Sequence, residues 1–154
     1  MHRTYENEDL VVFWNSEKCR HAKECVHGSP DTFNPAKKPW IQLGRAENKE
    51  VWQAISKCPS GALSCIYRHG ITVTMDAENC RCLAFDGDQQ IGECEYDKAG
   101  GDFCICHTAV REEYKGKGIA RRLVYKVIEQ AERECMNITA TCSYAKKVLQ
   151  EVIQ

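Results

Sequence analysis

The strongest constraint on the fold is a polar loop, "KCRHAKECVHGSP" at residues 18–30, in which Cys19 and Cys25 lie six positions apart. A third cysteine, Cys58, stands in "CPSGA", directly after a segment with helical periodicity. Two loop cysteines and one distant cysteine can converge on one point, and thiolates grouped in this way bind metals. We therefore expect this part of the chain to fold around a metal site, because so small a unit buries too little apolar surface to be stable by packing alone.

The cysteine content also limits where the protein works. Eleven of the 154 residues are cysteine, and "MHRTYENEDL" lacks the apolar segment of a signal peptide. We expect a cytoplasmic protein whose thiols bind metal, take part in catalysis or pack as small apolar groups. The net charge of -1 gives no field that would attract nucleic acid or anionic lipid. No apolar run reaches the roughly 18 residues of a membrane span, so we expect neither a nucleic-acid partner nor a membrane.

The sequence predicts an α+β fold in two units, residues 1–70 and 71–154. In the first unit, "DLVVFW" and "ALSCIY" favour strands, and "GSPDTFNPAKKPWIQLG" between them favours irregular structure. "ENKEVWQAISK" predicts a helix with Val51, Trp52 and Ile55 on one face. This helix should end at Lys57 or Cys58, because Pro59 disfavours helical geometry at the residue before it.

The second unit is predicted to start with antiparallel hairpins. "RHGITVTM", "CRCLAF", "IGECEY" and "FCICHTAV" alternate with turn residues. A long amphipathic helix is predicted next, with this apolar face: Ile119, Ala120, Leu123, Val124, Val127, Ile128 and Ala131. The residues predicted to lie off this face are Arg121, Arg122, Lys126, Glu129 and Glu132. "NITATC" predicts a further strand, and Ser143 predicts the cap of a last helix with Val148, Leu149, Val152 and Ile153 on one face.

The first unit resembles a known metal-binding family. "KCRHAKECVHGSPDTFNP", "KPWI" and "KCPSGAL" resemble, in this order, the divergent single-cluster ferredoxin-like domain over roughly residues 5–68. The resemblance implies a small ferredoxin-like domain with an iron–sulfur cluster on Cys19, Cys25 and Cys58. It also implies a redox partner protein.

One ligand of the common ferredoxin pattern C-x-x-C-x-x-C is missing, because Ala22 stands at its position. The cluster is then a 3Fe–4S cluster on the three cysteines, or a 4Fe–4S cluster with His21 as the fourth ligand. His21 could instead donate a hydrogen bond to a cluster sulfur. A structural zinc on the same Cys3His set is a second interpretation of the whole site. We expect His27 to be a surface residue or a residue that contacts the cluster ligands without binding iron, and Cys65 to be buried.

The second unit contains a glycine-containing turn, "REEYKGKGIARRL", that predicts a strand followed by a helix. Two glycines let the backbone approach an anion, and the N–H groups at the helix start can bind it. "HTAVREEYKGKGIARRLV" and "TCSYAKKVL" resemble the compact GNAT-type N-acetyltransferase domain over about residues 78–150. That resemblance implies a mixed sheet with helices and a loop that holds the pyrophosphate of acetyl-CoA: Lys115, Gly116, Lys117, Gly118, Ile119 and Ala120. Lys115 stands where the family usually has Arg or Gln.

Acyl transfer to an amine requires a group that takes the amine proton. His107 is one candidate, and Glu93 and Glu95 are others. The family usually has an acidic residue where this chain has Ala109. Cys142, in "TCSY", matches a cysteine that lies near the CoA sulfur in the compact family, where it could act as a nucleophile or pack in the core.

Five further cysteines fall on predicted strands: Cys80, Cys82, Cys94, Cys104 and Cys106. Spacing of two places neighbouring ones on one face, so we expect thiols buried in a sheet covered on both faces, with a second metal site as the alternative. Two functions follow from the sequence. The first is acyl transfer from acetyl-CoA to an amine acceptor, and the second is electron transfer or iron sensing by a protein that binds CoA without turnover.

Overall fold

The computed structural model describes the backbone of residues 1–153 and the side chains of residues 1–151. It divides into two compact units, Met1–His69 and a second that starts at Gly70. Each unit combines one sheet with helices, so the fold is α+β. No helix among the described residues is long and apolar enough to cross a membrane.

The first unit contains a three-stranded antiparallel sheet and two helices. The sheet order is β1 (His2–Glu6), β2 (Leu10–Asn15) and β3 (Leu63–Tyr67), and the helices are α1 (Glu24–Gly28) and α2 (Asn48–Ser56). Every residue of the central strand β2 is buried. Helix α2 ends before Lys57, as predicted ahead of Pro59.

The three cysteines predicted to bind metal pack against the core of the first unit. Its buried side chains come from β2, α2, β3 and the irregular segment: Leu10, Val12, Trp14, Phe33, Ile41, Val51, Ala54, Ile55, Ala62 and Leu63. Cys19, Cys25 and Cys58 are partly buried and pack against this core. Trp52 packs against this core, as its predicted position on the apolar face of α2 requires, and its half-buried ring stacks on Tyr67 with ring centres 4.9 Å apart.

The second unit contains a five-stranded sheet in sequence order. Its strands are β4 (Ile71–Asp76), β5 (Arg81–Asp86), β6 (Gln89–Ala99), β7 (Asp102–Val110) and β8 (Asn137–Ala140). Strands β4 to β7 form the predicted antiparallel hairpins, whereas β8 pairs parallel to β7 after the crossover helix α3 (Ile119–Arg133). Helix α4 (Ser143–Ile153) follows β8.

Strand β7 separates from β8 halfway along its length. The paired residues run from Asp102 to Ile105, and the backbone N–H groups of Thr141 and Cys142 both donate to the Ile105 carbonyl, at 2.9 and 3.2 Å. The end of β7 beyond Ile105 is paired with β6 only. The edge of β7 that faces away from β6 is therefore unpaired over the residues just before the turn into α3.

Some predictions for the helices were wrong. Arg122 and Glu129 were expected off the apolar face of α3, but they are 2% and 3% exposed. Their polar groups find partners in the interior. Arg122 donates to the Ile71 carbonyl at 3.0 Å, and Glu129 lies close to Lys126 and Arg133. Ser143 is the first helical residue of α4 and not its cap. Val148 and Leu149 are buried as predicted, whereas the side chains of Val152 and Ile153 lie outside the described residues.

The prediction that the sheet is covered on both faces was also wrong. Cys82 and Cys94 are buried opposite each other, but Cys104 is half-buried and Cys106 is exposed. Cys80 lies ahead of β5 in a left-handed turn. Cys65 of the first unit is half-buried and not buried.

Candidate functional site

Three thiols meet at one cavity of the first unit. Cys19, Cys25 and Cys58 line a space of about 20 Å³ together with Arg20 and Lys23. Cys19 and Cys25 also line a larger cavity of about 520 Å³, and His21 and His27 are further lining residues of this second cavity. The structure therefore brings together the three predicted cysteines, and it places His21 at the neighbouring cavity.

Cys58 is surrounded by donors that favour a thiolate. Burial by itself would raise the pKa of the Cys58 thiol, but backbone N–H groups of Leu63, Ser60 and Ala62 and the Ser60 hydroxyl together lower it. These donors belong to the segment that returns from α2 to β3. The Cys58 sulfur is therefore prepared to act as a negatively charged ligand.

The other two sulfurs differ from Cys58. Burial raises the pKa of the Cys25 thiol, and the nearby thiols Cys58 and Cys19 raise it further. Mutual repulsion of this kind is relieved when a metal centre binds the sulfurs. Cys19 Sγ accepts a hydrogen bond from the backbone N–H of His21 at 3.4 Å. Hydrogen bonds to ligand sulfurs are one way in which proteins set the potential of a cluster.

The loop between Cys19 and Cys25 has an unusual backbone. His21 and Lys23 have φ values of 57° and 63°, in the left-handed region that side chains rarely adopt. Residues held in this way cost free energy, and they concentrate at functional loops. In this conformation the backbone N–H of His21 points towards Cys19 and donates a hydrogen bond to its sulfur.

The second site is a cavity of about 670 Å³ in the second unit. Its walls are the end of β7 at Thr108, Ala109 and Val110, the turn into α3, and Tyr144 at the start of α4. This volume is within the range of roughly 300–1,000 Å³ that is common for small-molecule sites. Five of the six residues predicted for the pyrophosphate line this cavity, namely Lys115, Gly116, Gly118, Ile119 and Ala120, whereas Lys117 does not.

The turn into α3 leaves a helix start without a side-chain cap. Gly118 occupies the cap position with φ 76° and no capping hydrogen bond, and Gly116 has φ 82°. The first N–H groups of a helix have no partner within the helix. They remain available to an anion at this end of the cavity. Tyr114 Oη donates to Asp86 Oδ2 at 2.5 Å and fixes the beginning of the turn.

Two candidate proton-transfer groups lie side by side. His107 Nε2 is 3.4 Å from Glu93 Oε1, and both residues project from the sheet on neighbouring strands β6 and β7. Glu95 is directly opposite His107 in the strand register. His107 is exposed and immediately precedes Thr108 of the cavity wall. A carboxylate beside an imidazole can accept a hydrogen bond from the ring and fix its orientation.

Cys142 occupies the cap position of α4 in place of Ser143. Its carbonyl accepts the N–H of Lys146 at 2.9 Å, which places it directly before the helix. Burial by itself would raise the pKa of the Cys142 thiol, but the Ala145 and Tyr144 N–H groups and the hydroxyl and N–H of Thr108 lower it. A thiol at a helix start is a common environment for a reactive cysteine.

Comparisons with known proteins match each unit separately. Residues 5–68 match the family described as "Divergent 4Fe-4S mono-cluster". The uncharacterized protein YjdI of Escherichia coli (strain K12) is 40% identical over 68 residues, which are 44% of this chain and 87% of YjdI. The chain belongs to the divergent 4Fe-4S mono-cluster family. The mono-cluster domain thus coincides with the unit that holds the three thiols.

Residues 82–152 match the family described as "GCN5-related N-acetyl-transferase", so the second unit carries a GNAT domain. A GCN5-like protein from Staphylococcus aureus has a TM-score of 0.43 and 26% identity, over 52% of this chain and 78% of that chain. A GCN5-related N-acetyltransferase from Sphaerobacter thermophilus has a TM-score of 0.43 and 18% identity, over 97% of this chain and 42% of that chain. The GNAT domain has the mixed sheet and helices that the sequence predicts.

The donors of the mono-cluster domain fit an iron–sulfur cluster. Trp14 Nε1 is buried without a hydrogen-bond partner, and Trp14 lines the three-thiol cavity. Buried N–H groups are rarely left unpaired, and a group bound at the cavity could supply the missing acceptor. A cluster sulfide is an acceptor of this kind, and Arg20 and Lys23 would offset its negative charge. Within residues 1–151, no three His, Cys, Asp or Glu side chains are grouped for a single metal ion.

Sequence reasoning missed three residues of these sites. Trp14 and Tyr144 read as core positions in "DLVVFW" and "TCSYAKKVL", and Thr108 reads as an ordinary strand residue. Nothing in their local sequence predicts that they line cavities. Only the pairing of β7 with β6 brings the Thr108 hydroxyl within 3.6 Å of the Cys94 sulfur.

Proposed function

We propose that the GNAT domain transfers an acyl group from acetyl-CoA to an amine and that the mono-cluster domain carries a redox-active iron–sulfur cluster. The acyl-transfer proposal rests on the cavity of about 670 Å³. This cavity is lined both by the end of β7 that is not paired with β8 and by the start of α3, which has no side-chain cap. Acetyl-CoA would place its reactive thioester along β7 and its pyrophosphate at the turn. The acceptor is an amine.

The turn from Lys115 to Ala120 is proposed to hold the pyrophosphate. Gly118 permits the left-handed conformation that ends the turn, and the N–H groups at the start of α3 donate to the phosphate oxygens. The dipole of this 15-residue helix adds to the attraction. Lys115 is exposed and paired with Glu112 at 2.8 Å, so it can reorient towards a bound anion.

His107 is proposed as the general base. In the first step the Cys142 thiolate attacks the thioester carbonyl and the C–S bond to CoA breaks. In the second step the amine nitrogen attacks the acetyl–Cys142 carbonyl, the Cys142 thiolate leaves, and the imidazole takes the amine proton. Glu93 Oε1 lies 3.4 Å from His107 Nε2, where it can accept a hydrogen bond and hold the ring in place. Cys142 is proposed to carry the acyl group transiently, because its thiolate is stabilised at the start of α4.

The pyrophosphate part is tested by calorimetry of acetyl-CoA with wild-type protein and Gly118→Val. We expect the variant to lose measurable binding, because two or three hydrogen bonds to charged groups, at about 1.5–3 kcal/mol each, disappear. Gly87→Val is the matched control, since Gly87 also has a positive φ of 60° but lies in the β5–β6 turn. Equal affinities for wild type and Gly118→Val would remove the pyrophosphate loop from the proposal.

The catalytic part is tested by product analysis with candidate amines and by intact mass of the protein after acetyl-CoA treatment. We expect amine-dependent release of CoA that falls in His107→Ala, and an added acetyl group that is lost in Cys142→Ala. Tight acetyl-CoA binding without turnover would instead favour a CoA-binding protein with an electron-transfer or iron-sensing role.

Cys19, Cys25 and Cys58 are proposed as cluster ligands, with His21 as the fourth ligand of a 4Fe–4S form. The cluster would supply one-electron redox chemistry, while the backbone N–H of His21 and the Trp14 indole would donate to sulfur. Anaerobic purification with iron and sulfide assays, followed by low-temperature EPR, separates zinc, 3Fe–4S and 4Fe–4S forms. In His21→Ala, a changed cluster type would support ligation by the imidazole, whereas an unchanged type would leave His21 as a hydrogen-bond donor only.

A further inference from the structure

The cavity of about 520 Å³ in the mono-cluster domain has no role in the functions proposed above. Its volume is within the range that is common for small-molecule sites. Cys19 and Cys25 line it, but Cys58 and the residues that follow Cys58 line only the small three-thiol cavity. The larger cavity therefore extends away from Cys58, beyond the point at which the three thiols converge.

Two indole rings give this larger cavity a rigid apolar surface. Trp14 and Trp40 both line it and meet edge to face, with ring centres 4.8 Å apart. Trp40 also contacts the fully buried Phe33 at 5.8 Å, so the core of the domain sets its position. Val26 and Pro35 add further apolar surface to the cavity. Aromatic side chains held in this way can pack against a planar ring without first being ordered.

The polar side chains at the larger cavity favour an anion. Lys23, His21 and His27 line it and are exposed. Among the described residues that line this cavity there is no Asp or Glu. The irregular segment that supplies other lining residues adds the exposed Lys37 and Lys38. Positive charge without a neighbouring carboxylate attracts a negatively charged ligand, and the indole rings favour one that is flat and apolar.

We propose that this cavity binds a small planar aromatic acid, with its ring against Trp14 and Trp40 and its carboxylate towards Lys23 and His27. The site lies in the mono-cluster domain and is separate from the acetyl-CoA cavity of the GNAT domain. It does not depend on acyl transfer or on cluster ligation, because none of these four residues is a proposed ligand or catalytic residue. A bound acid would lie beside the proposed cluster ligands, so the domain would combine a metal centre with a small-molecule site.

The test is calorimetry of the full chain, purified anaerobically, with naphthalene-2-carboxylate as the probe and naphthalene-2-carboxamide as its uncharged control. We expect saturable binding of the acid that weakens as the salt concentration rises, and weaker binding of the amide. In Trp40→Leu, we expect the affinity for the acid to fall about tenfold, because an aromatic contact is lost. In Lys23→Asn, we expect it to fall about threefold, because asparagine tolerates the left-handed backbone but carries no charge.

Trp52→Leu and Lys49→Asn are the matched controls, because neither residue lines the cavity, and both variants should bind the acid as the wild type does. Lys23 is exposed, so its variant keeps the test valid if Trp40→Leu does not fold.

Three outcomes would overturn the proposal. The first is no binding of the acid by folded wild type, and the second is equal affinity in wild type and Lys23→Asn. The third is binding to iron-depleted protein that is absent from iron-loaded protein, because the cavity would then be space that the cluster itself fills. Binding by a wild type that holds no cluster and transfers no acetyl group would support this site and contradict the proposed functions alone.

Discussion

At the scale of single residues, Cys58 and Cys65 show how surroundings separate one thiol from another. Cys58 lines the three-thiol cavity and accepts several hydrogen bonds that lower its pKa. Cys65 lies on β3 opposite Val12, and burial raises its pKa to about 11. Only the first is suited to bind iron as a thiolate.

We predict that Cys58→Ser loses bound iron, whereas Cys65→Ser retains it. Serine keeps the size of each side chain, so the comparison tests ligation more than packing. Iron and sulfide per protein after anaerobic purification give the result. Full iron occupancy in Cys58→Ser would contradict the ligand assignment.

Cys142 and Cys106 lead to a prediction on pH. The pKa of Cys142 is lowered by its hydrogen bonds, whereas burial and the nearby Asp97 and Glu95 raise the pKa of Cys106. At a pH near neutrality, the thiolate fraction is therefore larger for Cys142, and the difference shrinks as the pH rises above both pKa values. We expect Cys142 to be alkylated faster than Cys106 at neutral pH although Cys106 is the more exposed residue. Faster reaction of Cys106 over the whole pH range would count against the hydrogen-bond argument.

At the scale of elements, the contact between α1 and α2 controls the cysteine loop. A Cβ on Gly28 would lie 2.9 Å from the Ala54 Cβ and 3.2 Å from its Cα. Real Cβ atoms essentially never approach another atom as closely as 2.9 Å, so a side chain at position 28 would displace α1. Cys25 lies on α1, and its position depends on this contact.

We predict that Gly28→Ala destabilises the mono-cluster domain by about 1–3 kcal/mol and reduces its iron content. Gln53→Ala, on the exposed side of α2, should have little effect. Denaturant unfolding and an iron assay on both variants provide the measurements. Normal iron content and stability in Gly28→Ala would show that α1 can move without cost.

The elements that could be predicted from sequence are those with a strong local pattern. Alternation and turn residues identify β4 to β7, and the apolar face identifies α3. Strand β1, "HRTYE", was missed because its residues are largely polar and its structure depends on pairing with β2. The burial of Arg122 was missed because it depends on a carbonyl far away in sequence.

Part of each candidate site could be predicted because its residues form a local sequence pattern. The cysteine loop and the glycine turn are local motifs, so their residues could be named from the sequence. The pairing of His107 with Glu93, and the hydrogen bond from Thr108 to the Cys94 sulfur, depend on strand register. These long-range relations leave no local signal.

At the scale of the whole molecule, the two units differ in what stabilises them. The core of the mono-cluster domain is small, and three of the side chains packed against it are the thiols Cys19, Cys25 and Cys58. With the proposed cluster bound to these thiols, the free energy of metal binding would contribute directly to the folding of this domain. The GNAT domain has a larger sheet and a long helix of its own.

We predict that iron chelation under anaerobic conditions increases amide hydrogen exchange in residues 1–69 and leaves peptides from residues 70–151 unchanged. Mass spectrometry of peptides before and after chelation resolves the two regions. The Cys58→Ser variant without chelator is the control and should show the same pattern. A uniform increase over both regions would contradict separate stabilisation.

The aromatic wall of the three-thiol cavity gives the mono-cluster domain its own optical signal. All three tryptophans, Trp14, Trp40 and Trp52, belong to this domain, and Trp14 contacts Trp40 with ring centres 4.8 Å apart. Indole emission of the full-length protein therefore originates from one half of the chain. Because an iron–sulfur chromophore beside Trp14 would quench that emission, fluorescence intensity should increase as the cluster is lost and report its occupancy in real time.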